Sequence, residues 1–156
     1  MTPITGLTAQ RCSIARSLEV FGQKWTLLIL REAVLRGSSR FAQFRDALGV
    51  APDVLTDRLT TLVDAGVMVR RPYREAGERE RVEYVLTESG CALKPVLAAI
   101  GAWGDVFAPS GFGPAITLAA EDGRAVELAF VDAVGRQVPS DEVVAVPGPG
   151  MAPTRP

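Results

Sequence analysis

The chain has 156 residues, of which 47% are hydrophobic and 22% charged, a balance typical of one folded core with an appendage and not of a disordered chain. It contains no histidine, and its two cysteines, Cys12 and Cys91, are far apart in sequence, which argues against a zinc site, a disulfide framework and most acid–base catalysis. No apolar run is long enough for a membrane span or a signal peptide, so we expect a cytoplasmic protein without a membrane partner. From the residue inventory we expect no metal, no cofactor and no enzymatic activity.

Charge is distributed unevenly along the chain. Residues 11–84 contain 13 Lys and Arg against 10 Asp and Glu, a net charge of +3. Residues 85–156 contain 4 against 8, a net charge of −4. The N-terminal half is therefore the part with the charge that a nucleic acid would favour.

Four helices are predicted in the first half of the chain. Apolar spacing predicts the first from a Ser13 cap to about Phe21, the second over 24–36, the third over 40–48 with a Ser39 cap, and the fourth over 53–65 with Pro52 in its first turn. The second helix is apolar nearly all round, which predicts a central position. The third and fourth, joined by a short link containing Gly49, form a helix-turn-helix pattern.

A hairpin and a long helix follow. Short strands are predicted over 67–71 and 81–86, with a polar loop over 72–80 between them. Thr87 is expected to cap a helix that continues to about Phe107, with Pro95 either bending it or lying near its start. This order of elements predicts a mostly α fold with a small β-wing, the winged helix-turn-helix.

The remaining residues differ in character. This change in composition divides the chain into one predicted DNA-binding and dimerisation domain over 11–107 and an extension over 108–156. In the extension, Asp122-Gly123 is predicted to form the turn of a β-hairpin, and the C-terminal Pro-Gly repeat is predicted to be flexible. Because a two-stranded hairpin alone is marginal, its apolar residues should be buried against the winged-helix core or a partner subunit. These are Ile116, Leu118, Val126, Leu128 and Phe130.

The predicted fold offers a surface for duplex DNA. The fourth helix can enter a major groove, and wing arginines can meet phosphates or a minor groove. Candidate DNA contacts lie on that helix, at the start of the preceding one and on the wing: Pro52, Asp53, Thr56, Asp57, Arg58, Thr60, Arg40, Arg71, Arg74, Arg79 and Arg81.

Other interpretations of these residues remain open. Arginines alternating with glutamates are also typical of a solvated surface. Two aspartates on the fourth helix repel phosphate, which favours base contacts on that helix or a winged helix used as a protein-interaction or ligand-binding module with weak DNA binding. An enzyme is the least favoured class, because nothing places a nucleophile, a base and an oxyanion site together.

Several separated motifs over residues 11–106 resemble HxlR-type regulators, which are related to the MarR type. The matching runs begin at Cys12-Ser13-Ile14-Ala15, Gly22-Gln23-Lys24-Trp25, Arg40-Phe41, Val54-Leu55-Thr56-Asp57 and Tyr84-Val85-Leu86-Thr87. The resemblance implies a homodimeric bacterial transcription regulator, expected to be a repressor, that binds pseudo-palindromic double-stranded DNA. It also implies that Cys12 can sense an oxidant or electrophile, or else that it is a small buried hydrophobe.

The dimer interface is expected on the first and the long helix. Their apolar stripes lie next to small residues that would let a partner helix approach, and the stripes consist of Ile14, Leu18, Leu93, Leu97, Ile100 and Trp103. Cys91, near the start of the long helix, is expected to be an inert structural thiol. A small-molecule effector is compatible with the resemblance but not identified by it.

Overall fold

The computed structural model describes residues 11–149. The described chain divides into two compact units, one formed by Ile14–Leu97 and the other by residues 98–149 together with 11–13. Residues 1–10 and the end of the Pro-Gly segment predicted to be flexible lie outside the described residues.

The first unit begins with four helices. They are α1 (Ser13–Phe21), α2 (Lys24–Arg36), α3 (Phe41–Leu48) and α4 (Pro52–Asp64). Glycines in the left-handed conformation, with φ of 71° and 60°, end α2 and α3, as the pattern predicted. The four predicted helices are thus confirmed to within one residue at each end.

The core lies between α2, α4 and the first wing strand. α2 contacts both helices of the helix-turn-helix motif, which confirms its central position. Nine side chains in this unit are less than 2% exposed: Phe44, Ile29, Leu30, Leu55, Leu59, Leu62, Met68, Glu32 and Thr26. The buried Glu32 carboxylate is paired with Arg31 at 2.7 Å and Arg36 at 3.4 Å, which offsets the cost of burying its charge.

The wing is an antiparallel pair of strands, β1 (Met68–Tyr73) and β2 (Arg81–Leu86). Its register runs from Met68 opposite Leu86 to Tyr73 opposite Arg81, so residues 74–80 form the exposed tip. The fold is therefore mostly α with a small β-wing, a winged helix-turn-helix, as predicted.

The predicted long helix is interrupted. α5 (Glu88–Cys91) is capped by the Thr87 hydroxyl, which accepts from the Gly90 N–H at 3.3 Å. α6 (Lys94–Phe107) then begins one residue before Pro95. Since proline lacks an N–H and restricts the residue before it, Pro95 suits the first turn of a new helix, which is one of the two positions expected for it.

Together α5 and α6 form a stretch, Glu88–Phe107, whose 20-residue length and mean hydropathy of 1.2 would suffice for a membrane span by length and composition alone, although Lys94 and Asp105 interrupt it and it is not the continuous apolar run sought in the sequence. It is the one such stretch in the described part of the chain. Most of it is not buried in the single chain, so exposed apolar residues such as Ile100, Trp103 and Phe107 are available to a partner.

The second unit contains two short hairpins, where the sequence predicted one. The Asp122-Gly123 turn is present, with the Gly123 N–H donating to Ala120 at 2.9 Å, but its ladder is a single bridge between Ala119 and Ala125. A second hairpin follows, with β3 (Phe130–Val131) paired to β4 (Gln137–Val138), and a 3-10 turn spans Ser140–Glu142.

The apolar residues of the predicted hairpin are not buried in the single chain. Ile116, Val126, Leu128 and Phe130 are between 42% and 56% exposed. The turns are held instead by local bonds, since the carboxylates of Asp122 and Asp132 accept from the backbone and side chains of nearby arginines. Burial of these apolar residues against a second copy stays a prediction.

Candidate nucleic-acid interface

Helix α4 has one buried and one exposed face. Leu55, Leu59 and Leu62 are completely buried, which fixes the rotation of the helix about its axis. The opposite side exposes residues that the sequence predicted to contact DNA: Pro52, Asp53, Thr56 and Asp57, with Thr60 half-buried beside them.

The threonine hydroxyls of α4 are used within the helix. Thr56 Oγ1 donates to the Pro52 carbonyl at 2.8 Å, and Thr60 Oγ1 donates to the Thr56 carbonyl at 2.9 Å. Each hydroxyl therefore has no further proton to donate. What the threonines still offer outward is oxygen lone pairs and a methyl group.

Two arginines lie beside this face. Arg58 is half-buried, and its Nη2 pairs with the Asp57 carboxylate at 3.1 Å. Arg70 of β1 donates from Nη2 to Thr60 Oγ1 at 3.3 Å and is otherwise exposed. The sequence placed Arg70 on the wing but not among the DNA-contacting residues, because its proximity to α4 depends on how the wing packs.

The wing arginines divide into paired and unpaired groups. Arg71 pairs with Glu83 at 2.8 Å and Arg81 with Glu78 at 2.9 Å. Arg74 and Arg79, at the tip, have no ion pair within the described residues. Of the predicted wing contacts, these two have guanidinium groups that are free to meet phosphate.

A polar latch, formed by Ser39, Arg71, Glu83 and Tyr84, ties the start of α3 to the wing. The Tyr84 N–H donates to the Ser39 carbonyl at 2.7 Å, and the Ser39 hydroxyl donates to Glu83 Oε2 at 2.8 Å. Arg71 Nε donates to Glu83 Oε1 at 2.8 Å. The Ser39 hydroxyl, and next the Arg71 side chain, lower the pKa of Glu83, so the carboxylate stays ionised in the latch.

The latch corrects one prediction. Ser39 was expected to cap α3, but the residue at the cap position is Arg40, and Gln43 Oε1 accepts from the N–H groups of Ser39 and Arg40 at 3.0 and 2.9 Å. The prediction was wrong because the Ser39 hydroxyl is instead engaged by Glu83, which is 44 residues away in sequence.

Arg40 is held in place by the wing. Its Nη1 lies 2.6 Å from Glu75 Oε1, and its guanidinium lies over the Tyr73 ring, 4.5 Å from the centroid. Both partners of the ion pair are substantially exposed. Arg40 therefore has a fixed position at the start of α3, but its charge is offset by Glu75.

The residues predicted for the dimer interface separate into two groups. Ile14, Leu18, Ile100 and Trp103 are between 50% and 72% exposed. Leu97, in contrast, is buried in the core, and Leu93 packs against that core. The predicted stripe was wrong at Leu97, which packs into the core of its own chain instead of sharing the exposed face of Ile100 and Trp103.

The two thiols lie in different environments. Cys12, which immediately precedes α1, is half-buried, whereas Cys91 is exposed. The exposure of Cys91 does not fit the inert structural role that the sequence predicted for it. Across residues 11–149 no three side chains of the metal-ligating types lie together as a candidate metal site.

Comparison with known proteins agrees with this geometry. The HxlR-like helix-turn-helix model matches residues 20–111. The HTH-type transcriptional regulator Rv3095 of Mycobacterium tuberculosis is 38% identical over 141 residues, which are 89% of this chain and 87% of Rv3095.

Two solved structures have the same fold. PA1607, described as a candidate transcription factor, has 35% identity and a TM-score of 0.72, with 86% of this chain and 94% of PA1607 covered. The reduced form of the redox regulator HypR has 27% identity and a TM-score of 0.55, with 65% of this chain and all of HypR covered. The chain belongs to the HxlR-like helix-turn-helix family of transcriptional regulators.

Proposed function

We propose that this regulator binds specific double-stranded DNA sites as a homodimer and represses transcription from the promoters that contain them. The observation that carries the proposal is the juxtaposition of two surfaces. The exposed face of α4, fixed by buried leucines, presents base-reading groups. The wing meets α4 where Arg70 of β1 donates to Thr60, and the tip of the same wing carries two unpaired arginines. Domain roles follow: residues 11–107 bind DNA and dimerise, and 108–156 form an extension.

In this arrangement the N-terminal half of α4 enters the major groove, which is wide enough to admit a helix. Asp53, Thr56 and Asp57 then face base edges. Arg74 and Arg79 meet the sugar-phosphate backbone or the adjacent minor groove, and Arg40 lies at the start of α3, the helix that crosses the backbone in helix-turn-helix proteins.

Selection of genomic fragments by the purified full-length protein tests this proposal. We expect a small set of enriched sites with two-fold symmetry, and an affinity that falls steeply as salt concentration rises. Expression of the protein should lower the output of a reporter placed behind an enriched site. Enrichment of no site, or binding insensitive to salt, would favour the alternative of a protein-interaction or ligand-binding module, which Asp53 and Asp57 on the exposed face of α4 also suit.

The homodimer rests on exposed apolar side chains of α1 and α6. Trp103 and Phe107 are 62% and 70% exposed, with ring centroids 5.6 Å apart. Beside them, a Cβ added at Gly101 or Gly104 would meet no atom within 4 Å, which leaves room for a partner helix. Burial of such residues contributes about 25 cal/mol for each Å² removed from water, which must exceed the entropy cost of association.

Sedimentation at micromolar concentration tests the dimer. We expect the mass of two chains for the wild type and a shift towards one chain for Trp103→Glu, because a charge would then lie in an apolar interface. Lys24→Glu, which is exposed on α2, is the control for the added negative charge. A monomeric wild type would contradict this part of the proposal.

We also propose that Cys12 makes DNA binding sensitive to oxidants or electrophiles. Its position beside the first helix, and the likeness of the fold to the redox regulator HypR, support this. Treatment with diamide should change the DNA affinity of the wild type and of Cys91→Ser, but not of Cys12→Ser. Because Cys91 is the more exposed thiol, the opposite result would assign sensing to Cys91.

A further inference from the structure

The exposed face of α4 offers hydrogen-bond acceptors and methyl groups, but its exposed side chains offer no free donor. Asp53 and Asp57 are carboxylates, which accept only. Thr56 has donated its hydroxyl proton to the Pro52 carbonyl, and Pro52 has no N–H. The one cation of the helix, Arg58, is half-buried and directed to Asp57 at 3.1 Å.

Bases in the major groove differ in what they present to such a surface. Cytosine and adenine present an amino group that donates, thymine presents a methyl group, and guanine presents only the acceptors O6 and N7. A carboxylate can therefore bond to cytosine or adenine but is repelled by guanine. A threonine methyl group can pack against the methyl group of thymine.

We infer that α4 selects its DNA sites through the amino group of cytosine, contacted by Asp53 or Asp57, and the methyl group of thymine, contacted by Thr56, and that it rejects guanine at the bases facing these residues. This inference rests on the proposed function and specifies its substrate. The penalty for guanine is large, because a carboxylate desolvated in the groove would be left without a partner.

The same geometry assigns a separate role to Arg70. Its exposed guanidinium is hydrogen-bonded to Thr60, which lies two turns after the start of α4. At the edge of the groove it can supply the hydrogen-bond donor that α4 itself lacks. Contacts to guanine or to phosphate at that edge therefore come from the wing and not from α4.

The methyl contact is tested on a duplex selected from a random library by the wild-type protein. Deoxyuridine replaces thymidine at one position at a time, which removes only the methyl group. We expect about a fourfold loss of wild-type affinity at one position in each half-site, the effect of exposing one methyl group. Thr56→Ser keeps the hydroxyl bond to Pro52 but lacks the methyl group, so it should bind both duplexes equally.

The carboxylate contact is tested by repeating the selection with Asp53→Asn and Asp57→Asn. An amide can donate as well as accept, so one of these variants should accept guanine or adenine where the wild type requires cytosine, a change of at least fivefold in preference. Asp64→Asn, at the other end of the same helix, makes the same change in charge and should select the wild-type site. Replacing guanine by 7-deazaguanine at the bases facing α4 removes the N7 acceptor. Because α4 is inferred to make no contact with guanine, this should leave wild-type affinity unchanged.

Two kinds of failure are distinguishable. In the first, the wild type selects a site, but deoxyuridine lowers the affinity of the wild type and of Thr56→Ser equally, or neither aspartate variant changes the preferred base. The inference is then wrong and the proposed function stands. If the wild type selects no site, the proposed function fails and the inference fails with it.

Discussion

Helix α4 and the wing are held in the molecule by different forces, and they carry opposite chemistry. α4 is anchored by three leucines with no exposed surface and presents carboxylates and methyl groups. The base of the wing is also buried, through Met68, but beyond it the wing is attached to α3 by exposed or half-buried hydrogen bonds and ion pairs and presents arginines. A rigid element therefore carries the groups that depend on exact placement, and a more adjustable one carries the cations.

This difference matches the needs of the two contacts. Base edges must be met with hydrogen-bond geometry, whereas phosphates attract a cation over a range of positions. Exposed ion pairs contribute little to stability and exchange readily with solvent or with another anion. We therefore expect substitutions in α4 and in the wing to have separable effects on folding, sequence preference and overall affinity.

Leu59→Ala is expected to have the largest effect. Removing a completely buried leucine from α4 should lower the free energy of unfolding by about 2–5 kcal/mol, because it loses apolar burial and leaves a cavity. Denaturant titration would measure it. Thr56→Ala, on the exposed face of the same helix, should change stability by less than about 0.5 kcal/mol. Equal effects of the two substitutions would contradict the two-faced description of α4.

Replacing both wing-tip arginines, Arg74→Ala with Arg79→Ala, should lower DNA affinity about tenfold or more on every sequence tested. Two lost phosphate contacts should reduce the slope of log affinity against log salt by about 0.9 each. Fluorescence anisotropy at several salt concentrations would show both. Arg124→Ala with Arg136→Ala removes the same charge from the second unit and should have little effect. A loss confined to one sequence would assign base reading to the wing.

Much of the fold could be predicted because its signals are local. The spacing of Leu55, Leu59 and Leu62 predicted both α4 and its buried face, and glycines marked the ends of helices. The candidate interface followed in outline, since the residues opposite those leucines are indeed exposed.

The remainder depends on contacts between distant residues. Nothing near Ser39 indicates that Glu83 takes its hydroxyl, or that Glu75 offsets Arg40, so neither the latch nor the division of arginines into paired and free could be predicted. Leu97 was assigned to the wrong face because the apolar spacing of α6 does not show which of its residues pack against the core of the same chain. The signal for the second hairpin, Asp132 followed by Gly135-Arg136, was present but was not used.

Glu83→Gln should loosen the wing with a smaller effect on binding, about threefold to fivefold weaker. The amide keeps the size of the side chain but loses the charge that attracts Arg71. Faster hydrogen exchange at Tyr84, whose N–H donates to Ser39, would show that the attachment to α3 has weakened. Unchanged exchange would mean that the backbone bond alone holds the wing.

The latch should also depend on pH in a defined direction. Because the folded state lowers the pKa of Glu83, the latch is fully formed above the ordinary pKa of a glutamate. Its contribution is lost as the pH falls through the lowered, folded-state value. The protection factor of the Tyr84 N–H, which corrects the exchange rate for its intrinsic change with pH, should therefore fall at acid pH by more in the wild type than in Glu83→Gln. A wild-type profile that matched the variant would contradict the assignment.

Glu75→Gln is expected to have the smallest effect, and in the opposite direction. Glu75 competes with DNA phosphate for Arg40, which Tyr73 holds in position, so removing its charge should strengthen binding about twofold to threefold, the scale of an exposed ion pair. The gain should disappear when Arg40→Ala is also present, because the two changes act through one guanidinium. Glu127→Gln, in the second unit, makes the same change in net charge and should not strengthen binding. A gain that persisted without Arg40 would show that Glu75 acts on DNA only through overall charge, and a loss of affinity would show that Glu75 orders the wing instead of masking Arg40.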